Sequence, residues 1–328
     1  MKTVYFRNIE DKYEIGITEN GELQAFYRLE KDFCTGSIYC GKVRLVKKQI
    51  GIFVDIGKEK DGLLTYRQGL KPGDFVLVQV EKEPMGNKGC ALTEKITIAG
   101  RYLVLNDIGE YKFSRKLSEI KKNELFGLVH FEEVGYIYRS VCENADSTEI
   151  VSEAKILYEK YLKIKESFKN LNKITCLYAD TAENIAKRYA PSDNNVIYGF
   201  EDIENQIKKL GERKVVAEGV ELVFDKTEAM TVVDVNMHKF DKQYGDLENA
   251  TFKANEIAVK ELARQIRLRN IGGIIMVDFI SLALRENIEK LKNILVDELK
   301  KDNVRVSVEL VESIGMFAIV RKRRYSSV

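Results

Sequence analysis

The chain has 328 residues, 45% of them hydrophobic, with 53 Lys and Arg against 51 Asp and Glu and a formal net charge of +2. That is enough apolar chain for two or three modest cores, and the charge balance excludes a strongly basic tail protein while leaving room for a local basic patch. No stretch reaches the roughly 20 apolar residues of a membrane span, Met1–Arg7 lacks a signal pattern, and five cysteines without a C-x-x-C pair suggest neither disulfides nor zinc, so the expected location is cytoplasmic.

Residues 1–35 alternate short apolar stretches with turn signals such as Asn20-Gly21, which predicts two or three antiparallel strands completing a later sheet. Residues 36–100 carry short strands at Ile38 to Lys47, Gly51 to Ile56, Gly62 to Tyr66, Asp74 to Glu81 and Cys90 to Ile98. Spacing of this kind predicts a small closed barrel. Residues 101–172 hold further short strands, then Ala154, Leu157, Tyr161, Ile164, Phe168 and Leu171 at helical spacing behind the capping sequence Asp146-Ser-Thr-Glu149. Residues 173–210 predict a strand at Ile174 to Tyr178, a helix at Ala182 to Arg188 and a second helix ending at Lys209.

Residues 211–328 hold the most informative unit. Strands Thr231 to Asn236 and Gly273 to Ile280 each carry an aspartate, Asp234 and Asp278, near the carboxyl end. Between them lies an amphipathic helix, Leu247 to Arg269, with Asp246 as N-cap and Asn270-Ile271-Gly272-Gly273 as its stop signal. A crossover of this length makes the two strands parallel and brings their carboxyl ends out together, where open α/β sheets bind ligands. Alone, either aspartate reads equally well as a helix cap or an arginine acceptor. Together, beside apolar neighbours, one must take a proton or both must share a cation, and a hard divalent ion suits such oxygen donors. Asn236, two residues past Asp234, shares its face and is placed to orient a carboxylate or a metal-bound water.

Three collinear segments carry a resemblance: Glu228-Ala-Met-Thr-Val-Val-Asp-Val-Asn236, the run Glu261 to Gly273, and Ile274-Ile-Met-Val-Asp-Phe-Ile280. They resemble the catalytic core of the ribonuclease E/G family. The resemblance implies a magnesium-dependent endoribonuclease cutting single-stranded RNA, with Asp234 and Asp278 as metal ligands and Asn236 in support. It also implies a multidomain α+β and α/β fold: an RNase H-like scaffold from 1–35 and 173–210, an inserted S1-type barrel of the oligonucleotide-binding class at 36–100, a 5′-phosphate sensor-like region at 101–172, and a DNase I-like catalytic domain at 211–328.

Gly36 to Val43, Phe53 to Gly57 and Gly86 to Thr93 are similar to the S1 barrel, which grips single strands by stacking bases and pairing phosphates. Tyr39, Lys42, Phe53 and Lys88 are its candidates, with Leu63 standing where the family commonly has an aromatic. Gly135-Tyr-Ile-Tyr-Arg-Ser140 resembles the pocket for an RNA 5′-monophosphate, implying Arg139 and Ser140 as ligands, with Arg321 from the closing strand.

Departures from the pattern are Ser281, where an aspartate is common, and Met237-His238 after the asparagine. No cysteine follows Cys176, so the family's Cys-Pro-x-Cys zinc link is not expected, and a homodimer would form without zinc. A second reading is an RNA-binding protein of the same family that cleaves weakly or not at all. A nucleotide-binding metabolic enzyme is disfavoured by the missing glycine-rich phosphate loop.

Overall fold

The computed structural model describes residues 1–31, 34–84, 89–237, 246–301 and 304–322. The chain forms two compact units, one from Met1–Lys31 with Ala190–Val328 and one from Asp32–Tyr189. Among the described residues, no helix is long and apolar enough to cross a membrane.

The first unit contains two sheets. In the smaller, the order is Val196–Tyr198, Lys2–Ile9, Lys12–Glu19, Glu22–Glu30, with only the first pair parallel. Asn20 and Gly21 both take positive φ, 52° and 81°, the geometry of the tight hairpin turn that this dipeptide favours. Glu14 is buried in this sheet and held by Arg7 and Arg28.

The larger sheet has six strands in the order Lys214–Ala217, Val220–Lys226, Met230–Met237, Gly273–Asp278, Met316–Arg321, Val306–Val311. Its one parallel pair is Met230–Met237 with Gly273–Asp278, as the crossover length requires. The crossover is the helix Leu247–Leu268, whose N-cap Asp246 accepts a hydrogen bond from the Asn249 amide. At the other end, Asn270 rather than a glycine takes the left-handed position, with φ 49°. The Ile271 amide bonds back to the Ile266 carbonyl and the Asn270 amide to that of Arg267, so both partners of a Schellman cap are present. This helix and Arg285–Leu299 cover one sheet face, burying Val233, Val235, Ile275 and Val277 against Ala258, Leu262, Leu291 and Leu295.

The second unit is built on a closed five-stranded barrel. Its strands run in the order Ile38–Lys47, Gly51–Asp55, Gly62–Leu64, Ala91–Thr93, Phe75–Lys82, and the last pairs back to the first. Gly62 has no room for a side chain, since a Cβ there would stand 2.5 Å from a Leu92 methyl. The strand expected over Cys90 to Ile98 is in fact two. Ala91–Thr93 belongs to the barrel, whereas Thr97–Ala99 joins a second sheet with Leu103–Asn106, Gly135–Tyr138 and Lys112–Phe113. Gln79 bridges the break, its amide bonding to the Gly36 and Thr97 carbonyls and accepting from the Thr97 amide. The strand Thr175–Tyr178 pairs with barrel strand Ile38–Lys47. The helix predicted from Ala154 starts a full turn or more earlier, spanning Ser147–Lys169, because Asp146 caps it directly through the Thr148 amide.

Candidate active site

Asp234 and Asp278 end up opposite each other in the parallel ladder. Paired residues on neighbouring strands project to the same face, and the strand spacing puts their Cα atoms about 4.8 Å apart. Period-two alternation assigns the faces: Val233, Val235, Ile275 and Val277 are buried under the helices, while Asp234, Asn236 and Asp278 are exposed on the opposite side. The two carboxylates therefore share one solvent-facing patch. Asn236 Nδ2 donates to Asp234 Oδ2 at 2.7 Å, so the amide already orients one carboxylate. Across the ladder Glu221 pairs in register with Asn236, and its carboxylate is held by Lys214 at 3.2 Å.

Among the described residues there is no cluster of three or more His, Cys, Asp or Glu side chains able to hold a metal ion. What the patch offers is two carboxylates and an amide oxygen. That donor set suits a hard cation such as magnesium, which keeps most of its waters and binds through one or two carboxylates plus substrate phosphate.

The loop after Asp278 is held by groups that sequence patterns did not single out. Asn255, fully buried on the crossover helix, donates to the Ile280 carbonyl at 2.8 Å and accepts from the Ile280 amide at 3.1 Å. Glu248, in the first turn of the same helix, accepts from the Ala283 and Leu284 amides and from Asn287 Nδ2. Those bonds hold the Glu248 carboxyl below its ordinary pKa, the Ala283 amide contributing most. The only visible signal was a polar residue, Asn255, next to Ala254 in an apolar stripe. The helix that joins the two aspartate strands thus also fixes the backbone beyond the second one.

The remaining candidates are placed as follows. Phe53 is half-buried on the outer barrel wall, in register with Leu45 on one side and Leu63 on the other. Leu45 and Leu63 are 43% and 38% exposed, so the three form an apolar row across three strands. Lys42 is half-buried with its ammonium 5.7 Å from the Phe75 ring centre. Tyr39 is enclosed in the barrel core, and burial pushes its phenol well above the ordinary value. Arg139 follows the strand Gly135–Tyr138, and its Nη1 donates to the Gly100 and Arg101 carbonyls at 2.6 and 3.1 Å. Burial there pulls the guanidinium below its ordinary value. Ser140 next to it is exposed at the start of a short 3-10 turn. Arg321, in the other unit, is buried, donating to Asn270 Oδ1 at 3.0 Å and the Ile271 carbonyl at 2.8 Å. Lys88 and His238 lie outside the described residues.

The profile of the ribonuclease E/G family matches residues 97–198 and 181–324, most of the chain and both aspartate strands. The chain belongs to the ribonuclease E/G family. It is 29% identical to Ribonuclease G of Escherichia coli strain K12, over 89% of this chain and 73% of that protein. Ribonuclease G of Haemophilus influenzae is 28% identical over 96% of this chain and 78% of its own length. Ribonuclease E of Buchnera aphidicola is 26% identical over 89% of this chain, which spans 37% of that longer protein. Within this ribonuclease E/G member, Asp234, Asn236 and Asp278 make up the described acidic patch at the carboxyl end of the parallel pair.

Proposed function

We propose that this endoribonuclease cuts single-stranded RNA at the Asp234–Asp278 pair, with magnesium held between the two carboxylates. The observation that carries the reading is their register pairing on adjacent parallel strands, exposed on one face. Two like charges at that spacing gain most from a shared cation. When bound, magnesium supplies a Lewis acid that neutralises phosphate charge and acidifies a coordinated water.

The protein's own residues do the positioning. Asn236 fixes the rotamer of Asp234 through its 2.7 Å hydrogen bond, and Asn255 and Glu248 fix the chain that carries Asp278. Hydrolysis forms a bond from water oxygen to phosphorus and breaks the bond from phosphorus to the 3′ oxygen, which takes up a proton. The products then carry 5′-phosphate and 3′-hydroxyl ends.

The barrel row of Leu45, Phe53 and Leu63, flanked by Lys42, supports RNA binding through base stacking on Phe53 and apolar contact on either side. Ser140, with its exposed hydroxyl, and Arg139, if it exchanges the Gly100 and Arg101 carbonyls for phosphate, are read as 5′-monophosphate contacts. Arg321 is read as buttressing the turn at Asn270 in addition to any phosphate role. In fold terms, the four-stranded sheet corresponds to the RNase H-like scaffold and the six-stranded sheet with its two helices to the DNase I-like catalytic domain. Dimerisation and a cytoplasmic location complete the reading.

The test is cleavage of a 5′-monophosphorylated single-stranded RNA with Mg²⁺ or with EDTA, comparing wild type, Asp234→Asn and Asp278→Asn. Magnesium-dependent cutting that disappears in both variants is expected. Equal binding by all three without cutting would replace this reading with an RNA-binding protein.

A further inference from the structure

A cavity stands immediately behind Asp278, on the helix side of the same strand end. It has a volume of about 380 Å³ and lies wholly within the first unit. Its floor is made by Phe279, Phe317 and Leu291, all buried, with the two rings meeting edge to face at 5.4 Å. Its walls are Leu282, Ile288 and Leu310, which are half-buried and so leave apolar surface open to an occupant. Only the rim is polar: Ser281, Arg285, Glu289 and Glu312 are exposed, and Arg285 and Glu312 form a loose pair at 3.7 Å.

Three features fix what such a cleft takes. It is apolar inside and polar at the mouth, which suits a flat heteroaromatic ring whose attached ribose and phosphate remain at the rim. It is pre-formed, because Asn255 clamps Ile280 and Glu248 clamps Ala283 and Leu284, so little ordering is needed when a ligand enters. It is one residue from Asp278: the exposed aspartate ends the strand, and Phe279, just past it, is buried and lines the cleft. The acidic patch and the cleft thus lie at the same strand end, one on each side of it.

We propose that the cleft between Phe279, Ile288 and Leu310 is a nucleobase subsite that seats one base beside the scissile phosphate and so selects where the RNA is cut. The proposal rests on the nuclease reading above. Arg285 at the rim is free to turn from Glu312 toward the backbone phosphate of the seated nucleotide, since both side chains are largely exposed.

The experiment uses the full chain and a set of short single-stranded RNAs, each lacking one base, with affinity measured by fluorescence anisotropy in EDTA. Cleavage of the intact RNA with Mg²⁺ is followed alongside. Wild type is expected to lose about tenfold in affinity at one abasic position next to the cut, the size of one stacked base. Ile288→Trp, whose indole fills the cleft, is expected to bind all the abasic RNAs alike and to cut at altered positions. A thio-substituted uridine at the sensitive position is expected to photocrosslink wild type within residues 279–288. Cutting without any base-sensitive position, or with a sensitivity that Ile288→Trp retains, overturns the subsite and leaves the nuclease reading standing. RNA that binds but is never cut overturns the nuclease reading and the subsite with it.

Discussion

Asp234 and Asp278 are partners in the same rung of a parallel ladder, both exposed, with the buried sides of their strands packed under the crossover helix. Their mutual repulsion is tolerated because water screens it, and a cation between them removes it. Each Asp→Asn change should therefore leave stability without divalent ions nearly unchanged, within about 0.5 kcal/mol as for most surface substitutions. Magnesium should raise the Tm of wild type, because an ion that binds only the folded state must stabilise it. Either asparagine variant should lose most of that rise. A wild-type Tm indifferent to magnesium in differential scanning calorimetry would remove the case for a shared ion.

Asn236 acts on the same site through Asp234. Its Nδ2 donates to Asp234 Oδ2 at 2.7 Å. Asn236→Ala frees the Asp234 side chain to sample other rotamers without removing a charge. The magnesium concentration for half-maximal cleavage should rise about 10- to 100-fold, the usual cost of losing a group that orients a metal ligand. Excess magnesium should then recover much of the rate. Activity that stays low at saturating magnesium would mean that Asn236 does more than orient.

Asn255 makes a sharper case because it is fully buried and both of its amide atoms are used on Ile280. Asn255→Ala leaves the half-buried Ile280 carbonyl and amide without their partner, each worth up to about 1–3 kcal/mol. Asn255→Asp keeps the acceptor for the Ile280 amide but sets a carboxylate oxygen against the Ile280 carbonyl. Both variants should unfold at lower urea, and at temperatures where they remain folded both should show a lower kcat with the backbone past Asp278 unpinned. Hydrogen exchange at Ile280, faster in both variants than in wild type, is the check specific to the clamp.

How much of this was legible beforehand follows from the range of each interaction. The strand-helix-strand unit was readable because apolar periodicity, Asp246 and the Asn270 to Gly273 stop signal are local, and the parallel direction follows from crossover length. The clamp was not, because Asn255 reaches Ile280 and Glu248 reaches Ala283 across folded space, leaving no repeat in the chain. The cleft behind Asp278 was hidden for the same reason: a loop, a helix and a strand pair separated in sequence supply its walls. In the barrel, alternation alone could not tell that Tyr39 is enclosed. Ile38, Tyr39 and Cys40 are all buried because both faces of that strand end are covered, so the inward and outward pattern vanishes there. Phe53 keeps the alternation and half of its exposure.

The barrel-bearing unit should lose stability in alkali before the rest of its chemistry changes. Cys142 is fully buried, with Sγ donating to the Tyr102 carbonyl at 3.2 Å, and burial pushes its thiol up to about 11 from an ordinary 9.0. Tyr138, also buried, is pushed up to about 12 from 10.0 for the same reason. Both are acids with raised values in the folded state, so the unfolded chain gives up these protons first. The stability they contribute is complete below pH 9 and falls as pH rises, between 9 and 11 for Cys142 and between 10 and 12 for Tyr138. Cys142→Ala should cost about 1 kcal/mol at neutral pH through lost packing. It should also flatten the decline between pH 9 and 11, which urea unfolding at a series of pH values measures directly. Identical slopes for the variant and wild type would mean that another group, and not the buried thiol, governs the alkaline limit.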